Sequence, residues 1–342
     1  MKPYHNPKNI LIIKNRAIGD AVMTLSSVNY IVEQFSSANI YFAVPVGIAP
    51  LFRRCQLSLT AILPFSLRNI VDYWRLWRQL KRLKIDTVIE LHQGGRTKRF
   101  FNIWQKCTAG RYFYHNHHAL HGQFILDQGV IKPLIQRDLD ACYSVAKTLL
   151  PGVLEIPHFL NYGPVLTLQT PVVAQAKTIL FGVVATRETK IWPLAYFVEL
   201  AKILLAKRPD YSIKIPLSNA PADEKIGAEL IALGLPQEVE FIKVGLDQLP
   251  VEMAHASMYV GNDTGLKHIA IALGLKTYTF FGPEPPLEWH PYNEDVHKYF
   301  YSEGLPCRTL KAHYCGLTQC DSMICLNVFL PIDIYQRITW PV

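Results

Sequence analysis

Apolar residues in this chain fall into short unbroken runs, separated by longer stretches where they recur every three or four positions. The runs are Asn9 to Lys14, Ile40 to Val44, Asp86 to Leu91, Thr178 to Val184, Tyr211 to Leu217, Glu240 to Val244, Met258 to Gly261 and Thr277 to Phe281. Runs this short with little polar alternation predict strands covered on both faces, as in a parallel sheet. The helical period predicts helices over 21–35, 69–83, 193–207, 223–233 and 269–273. The alternation runs twice, on either side of the Pro/Gly-punctuated stretch 151–171. Two successive βα series predict an α/β chain of two Rossmann-like, doubly wound domains facing across a cleft, with ligands at the carboxyl ends of the strands.

A length of 342 residues suits two such domains, 1–165 and 172–328, with a closing segment 329–342. Charge divides unevenly between the halves. Residues 1–170 carry 20 Lys/Arg against 9 Asp/Glu, a balance of +11, whereas 171–342 carry 15 against 18, a balance of −3. The first half therefore suits an anionic partner. Its basic residues are dispersed over helices and strand exits rather than on a recognised nucleic-acid module, so nucleic acid is not expected. The absence of a run of about 20 apolar residues and of a signal-peptide core points to a cytoplasmic protein. Seven cysteines, an odd number, fit a reducing compartment, and Cys307, Cys315, Cys320 and Cys325 leave a metal site open. His115, His117, His118 and His121 cluster without a supporting carboxylate motif.

Candidate chemistry sits at the strand exits. After the first strand come Gly19 and Asp20; Gly19 admits a close ligand, and Asp20 at a helix start is either a cap or an ionised general base. After the 178–184 strand, Thr186, Arg187 and Lys190 place a hydroxyl and two cations beside a helix opened by Pro193, an environment for a diphosphate. Asp223 and Glu224 follow the 211–217 strand, where a carboxylate can accept from ribose hydroxyls. Asn262-Asp-Thr-Gly-Leu-Lys-His268 joins strand to helix; Asp263, Thr264 and Gly265 there make a helix cap or a phosphate cradle. Arg96 and Lys98, with Arg99, follow the 86–91 strand and could meet acceptor phosphates. The 69–83 helix carries Ile70, Tyr73, Trp74, Trp77 and Leu80 on a stripe read as core-facing, with Arg75, Arg78 and Arg82 exposed; the alternative is an anionic membrane interface.

In combination, Ile10 to Asp20 with its closing Gly-Asp, Ala185-Thr-Arg-Glu-Thr-Lys-Ile-Trp-Pro193, and Gly261-Asn-Asp-Thr-Gly-Leu-Lys-His268 running on to Phe281-Gly-Pro283 resemble glycosyltransferase family 9, the bacterial heptosyltransferases of lipopolysaccharide core assembly. The blocks occur in the family's order over nearly the whole chain. The resemblance implies a GT-B fold, with an acceptor-binding first domain, a nucleotide-sugar-binding second domain, and 329–342 returning to the first. It implies inverting sugar transfer, most readily heptose from ADP-heptose, onto a phosphorylated lipopolysaccharide core acceptor at the anionic inner membrane surface. The alternatives are a different nucleotide sugar, or a non-catalytic nucleotide-sugar or anionic-lipid binder. By position, Asp20 is the base and Lys190 steadies the diphosphate. Thr186, Arg187, Asp263, Thr264, Gly265 and His268 surround the donor, Asp223 or Glu224 the nucleoside, and Gly19, Arg96 and Lys98 the acceptor. No Asp-x-Asp motif demands a divalent metal. Lys267 stands where the family usually has serine or another small residue.

Overall fold

The computed structural model describes residues 6–115, 119–120, 123–124, 132–152, 155–175, 177–308, 315, 317 and 319–340. His117, His118 and His121 of the histidine cluster lie outside the described residues. The chain divides into two units, Met1–Pro164 and Val165–Val342, which meet inside the Pro/Gly-rich stretch.

The first unit runs β1 (Asn9–Ile13), α1 (Ile18–Met23), α2 (Leu25–Gln34), β2 (Asn39–Pro45), β3 (Ala61–Phe65), α3 (Ile70–Arg82), β4 (Thr87–Glu90), α4 (Gly95–Cys107), β5 (Arg111–Tyr114) and α5 (Leu134–Leu149). These five strands form one parallel sheet in the order β3-β2-β1-β4-β5. Ile10 to Ile13 are wholly buried, as an unalternating run in a central strand requires. The helix expected over 21–35 begins earlier and changes course at Thr24, whose hydroxyl donates to Asp138 at 3.1 Å.

The α3 stripe is corrected in part. Leu76 and Leu80 are buried, and Tyr73 and Trp77 pack edge-on against Phe100. Ile70 and Trp74, however, are 82% and 58% exposed. Trp74 sits about 100° around the helix from Tyr73, which turns it off the core-facing row.

The second unit runs β6 (Thr178–Gly182), α6 (Leu194–Lys207), β7 (Ser212–Pro216), α7 (Pro221–Ala232), β8 (Glu240–Ile242), α8 (Leu249–Ala254), β9 (Met258–Asn262), α9 (Gly265–Ala272), β10 (Lys276–Phe281), α10 (Pro286–Trp289), β11 (His297–Tyr301), α11 (Ile324–Asn327) and α12 (Pro331–Arg337). Its six parallel strands are ordered β8-β7-β6-β9-β10-β11. Trp192 stacks on Phe280 at the centre of its core, with ring centroids 4.2 Å apart.

Phe329, Ile334, Ile338 and Trp340 of the closing segment are buried in the second unit's core, the Trp192 indole donates to the Phe329 carbonyl at 3.0 Å, and the Thr339 N–H donates to Tyr278 at 2.9 Å. Each sheet reverses its strand order once, between β1 and β4 and between β6 and β9. The loops leaving the two strands at such a point diverge to opposite faces and open a crevice at their carboxyl ends.

Candidate active site

At the first switch point, Ala17 is the N-cap of α1 and makes no side-chain cap, so Asp20 lies within the first turn of the helix rather than capping it. Asp20 is buried. Burial raises its pKa, with Asp138 adding to the rise and Lys14, Arg16 and a backbone bond at Ala17 opposing it. Lys14, at the exit of β1, is wholly buried and bonds both carboxylate oxygens of Asp138, at 2.7 and 3.0 Å. Gly19 is buried beside Asp20.

Across the switch, Glu90 closes β4, almost fully buried, and accepts from the Tyr112 hydroxyl; burial raises its pKa too. Arg96 and Lys98 are exposed in the first turn of α4, where the helix dipole disfavours cations and an arriving anion would be welcome. The Thr97 hydroxyl completes that turn by bonding both the N–H and the carbonyl of Gly94, at 3.0 and 2.8 Å.

At the second switch point, neither Asp263 nor Thr264 caps α9 through its side chain, although Thr264 occupies the N-cap position. The Asp263 carboxylate is occupied otherwise. Its Oδ2 accepts from Lys190 at 2.7 Å and its Oδ1 from Lys267 at 2.5 Å. Burial alone would push this carboxyl up, but Lys190 and Lys267 together hold it well below the usual carboxylate range. Lys190 ends a single 3₁₀ turn, Glu188–Lys190, in the loop after β6. In the same loop Thr186 is exposed and Arg187 pairs with Glu284.

His268, buried one turn into α9, bonds Tyr292 through Nδ1, and burial takes its pKa well below the ordinary histidine value. It stands beneath the turn as a neutral imidazole. Asp223 accepts from the Ser218 N–H and hydroxyl at 2.8 and 2.6 Å, closing the loop after β7; Glu224 is exposed in the next position of α7.

The fold thus brings Lys190 together with Asp263, Thr264 and Gly265, while Asp223 and Glu224 sit one strand over. Sequence reading missed four participants. Asn262, fully buried, bonds the Trp192 N–H and the Val183 carbonyl; its only signal was a polar residue closing an apolar strand. Glu90 gave the same signal. Gly182 and Gly261 let β6 and β9 approach so closely that a Cβ at Gly261 would lie 2.6 Å from the Gly182 backbone. Among the described residues, no three His, Cys, Asp or Glu side chains are grouped to hold a metal ion, and all seven cysteines are free thiols.

Residues 146–314 match glycosyltransferase family 9 (heptosyltransferase). The chain belongs to glycosyltransferase family 9. Among family relatives, lipopolysaccharide heptosyltransferase 1 of Pseudomonas aeruginosa is 23% identical over 301 residues, covering 81% of this chain and 79% of its own. Lipooligosaccharide heptosyltransferase 2 of Haemophilus influenzae is 24% identical over 308 residues, covering 84% and 86%. The solved structure of the Escherichia coli ADP-heptose lps heptosyltransferase II superposes with a TM-score of 0.67 over 96% of both chains at 18% identity. The fold is therefore GT-B, built from two Rossmann-like units.

Proposed function

We propose that this glycosyltransferase moves a heptose from ADP-heptose onto a phosphorylated lipopolysaccharide core acceptor, inverting the anomeric carbon. The observation that carries the reading is the meeting of Lys190 with the Asp263-Thr264-Gly265 turn at the second switch point, in a family whose relatives over four-fifths of the chain are named heptosyltransferases. A diphosphate bound there meets the Lys190 ammonium and the first N–H groups of α9. Glu224, exposed past β7, is placed for the ribose hydroxyls, with Asp223 holding its loop closed.

In the first unit Asp20 takes the proton of the acceptor hydroxyl as its oxygen bonds to the anomeric carbon. The bond from that carbon to the diphosphate breaks, and the charge that develops on the leaving oxygen is met by Lys190. Burial suits Asp20 to this work, because a carboxylate with a raised pKa is a stronger base. Arg96 and Lys98 serve the acceptor's phosphates. No described helix is long and apolar enough to cross a membrane. Contact with the anionic inner membrane surface is assigned to the exposed start of α3, where Ile70, Val71 and Trp74 adjoin Arg68, Arg75 and Arg78.

The test is incubation with a panel of nucleotide sugars, with and without a heptose-deficient core acceptor. Release of ADP from ADP-heptose only when acceptor is present is the expected result. Selective binding of nucleotide sugars without any acceptor-dependent release would replace transfer with a binding role.

A further inference from the structure

Two lysines share one carboxylate at the second switch point, and they differ in freedom. Lys267 is wholly buried; besides Asp263 Oδ1, its ammonium donates to the Trp289 carbonyl at 2.8 Å and lies 4.7 Å from the centre of the Phe281 ring. It has nowhere else to go. The Lys190 side chain is 15% exposed and bonds Asp263 Oδ2. The cluster carries two positive charges against one negative, so a single cation is enough to keep Asp263 neutralised. Removing the only partner of a buried carboxylate costs several kcal/mol, whereas removing one of two does not strand it.

We propose that Lys267 is a positioning residue that keeps Asp263 paired while Lys190 swings from it to the donor's diphosphate. The inference rests on the donor site assigned above and adds what makes Lys190 available to it. Without Lys267, Lys190 would be the sole counter-charge of a buried aspartate, and each donor would have to compete with that aspartate for it.

The charged and titratable groups around Lys267 are Asp263 and Lys190 in the cluster, His268 on α9, His290 after α10 and His297 on β11. Burial takes His290 to about 3 and His297 to about 4, and depresses His268 further, so these imidazoles are uncharged above neutral pH. Burial also brings Lys267 down to about 8, against the pull of Asp263. Lys267 is therefore charged at pH 7 and loses its proton as the solution turns moderately alkaline.

The experiment measures ADP binding by calorimetry from pH 7 to 9.5 for the native chain, Lys267→Met and Lys267→Arg. The expected result is a native affinity that falls at least tenfold across about pH 8. Lys267→Met should bind ADP at least tenfold more weakly at pH 7 with no alkaline fall, and Lys267→Arg should bind normally at pH 7 and keep its affinity at pH 9.5. If Lys267→Met does not fold, the native and arginine profiles decide. An alkaline fall unchanged in Lys267→Arg, or native-like binding by Lys267→Met, overturns the inference and leaves the donor site standing. A native chain that binds no nucleoside diphosphate at pH 7 overturns the donor site and this inference together.

Discussion

The backbone N–H of Trp192 donates to the side-chain oxygen of Asn262 at 2.8 Å, across 70 positions of sequence. The same Asn262 amide donates to the Val183 carbonyl at 2.9 Å, so one buried side chain ties the exit of β6 to the exit of β9. Those exits carry Lys190 and Asp263. Asn262→Ala leaves a buried donor and a buried acceptor unmet, each costing about 1–3 kcal/mol. The expected outcome is a thermal midpoint lower by roughly 4–24 °C, at about 2–4 °C per kcal/mol for a unit of this size. A scanning calorimeter checks it, and an unchanged midpoint would mean that the two exits hold their places without the amide.

Asp20→Asn removes the proposed base while keeping the shape of the site. Turnover should fall by about 10²–10⁴-fold, the usual contribution of a positioned base, with ADP affinity unchanged. Because the Asp20 pKa is raised, native activity should decline with acid at a pH above the ordinary carboxylate range, as the base takes up its proton. If the asparagine variant keeps the same acid limb, the base is another group.

Ile70 and Trp74 are exposed at the start of α3, and the Arg78 guanidinium lies 4.5 Å from the centre of the Trp74 ring. Ile70→Ser with Trp74→Ser should leave stability within about 0.5 kcal/mol, as surface changes do. It should reduce co-sedimentation with phosphatidylglycerol vesicles by tenfold or more, and phosphatidylcholine vesicles should bind neither form. Undiminished sedimentation of the double variant would remove α3 from the membrane contact.

Acid should weaken the second unit well before its carboxylates titrate. Unfolded imidazoles take up protons near pH 6.5, whereas folded His290 and His297 resist until about 3 and about 4, and His268 resists likewise. The unfolded state therefore binds more protons below pH 6.5, and stability falls as pH drops, by up to about 1.4 kcal/mol per group per pH unit. Asp263, held well below the ordinary range, adds its own loss below about pH 4. Urea unfolding followed by tryptophan fluorescence should give a clearly lower midpoint at pH 5.0 than at pH 7.5; equal midpoints would contradict the buried, neutral state of these rings.

Much of the fold was legible because central strands of parallel sheets announce themselves. Ile10 to Ile13 and Met258 to Val260 are apolar on both faces, and their helices follow with turn residues at the right places. Edge strands were harder to see. Ala61–Phe65 carries Pro64, and Arg111–Tyr114 is four residues long with an arginine at its head, so neither shows a buried run. The Gly95–Cys107 helix opens on glycine and three cations, which reads as a loop until Thr97 is seen closing its first turn.

At the site, sequence order supplied Lys190 and Asp263 separately as residues at strand exits. It gave no sign that they bond to each other, nor that Lys267 would lie inward on the same carboxylate. Those are facts of packing between α9, β10 and α10, and a single sequence does not encode them as a pattern.

The C-terminal residues also acquire an unexpected standing. Phe329 receives the Trp192 indole, Trp192 leans through its backbone on Asn262, and Asn262 is the immediate neighbour of Asp263. A protease cut ahead of Met323, or a fusion tag that displaces Phe329, would thus be felt within a few bonds by the residue that anchors both lysines. The closing segment is thereby wired to the turn that carries Asp263.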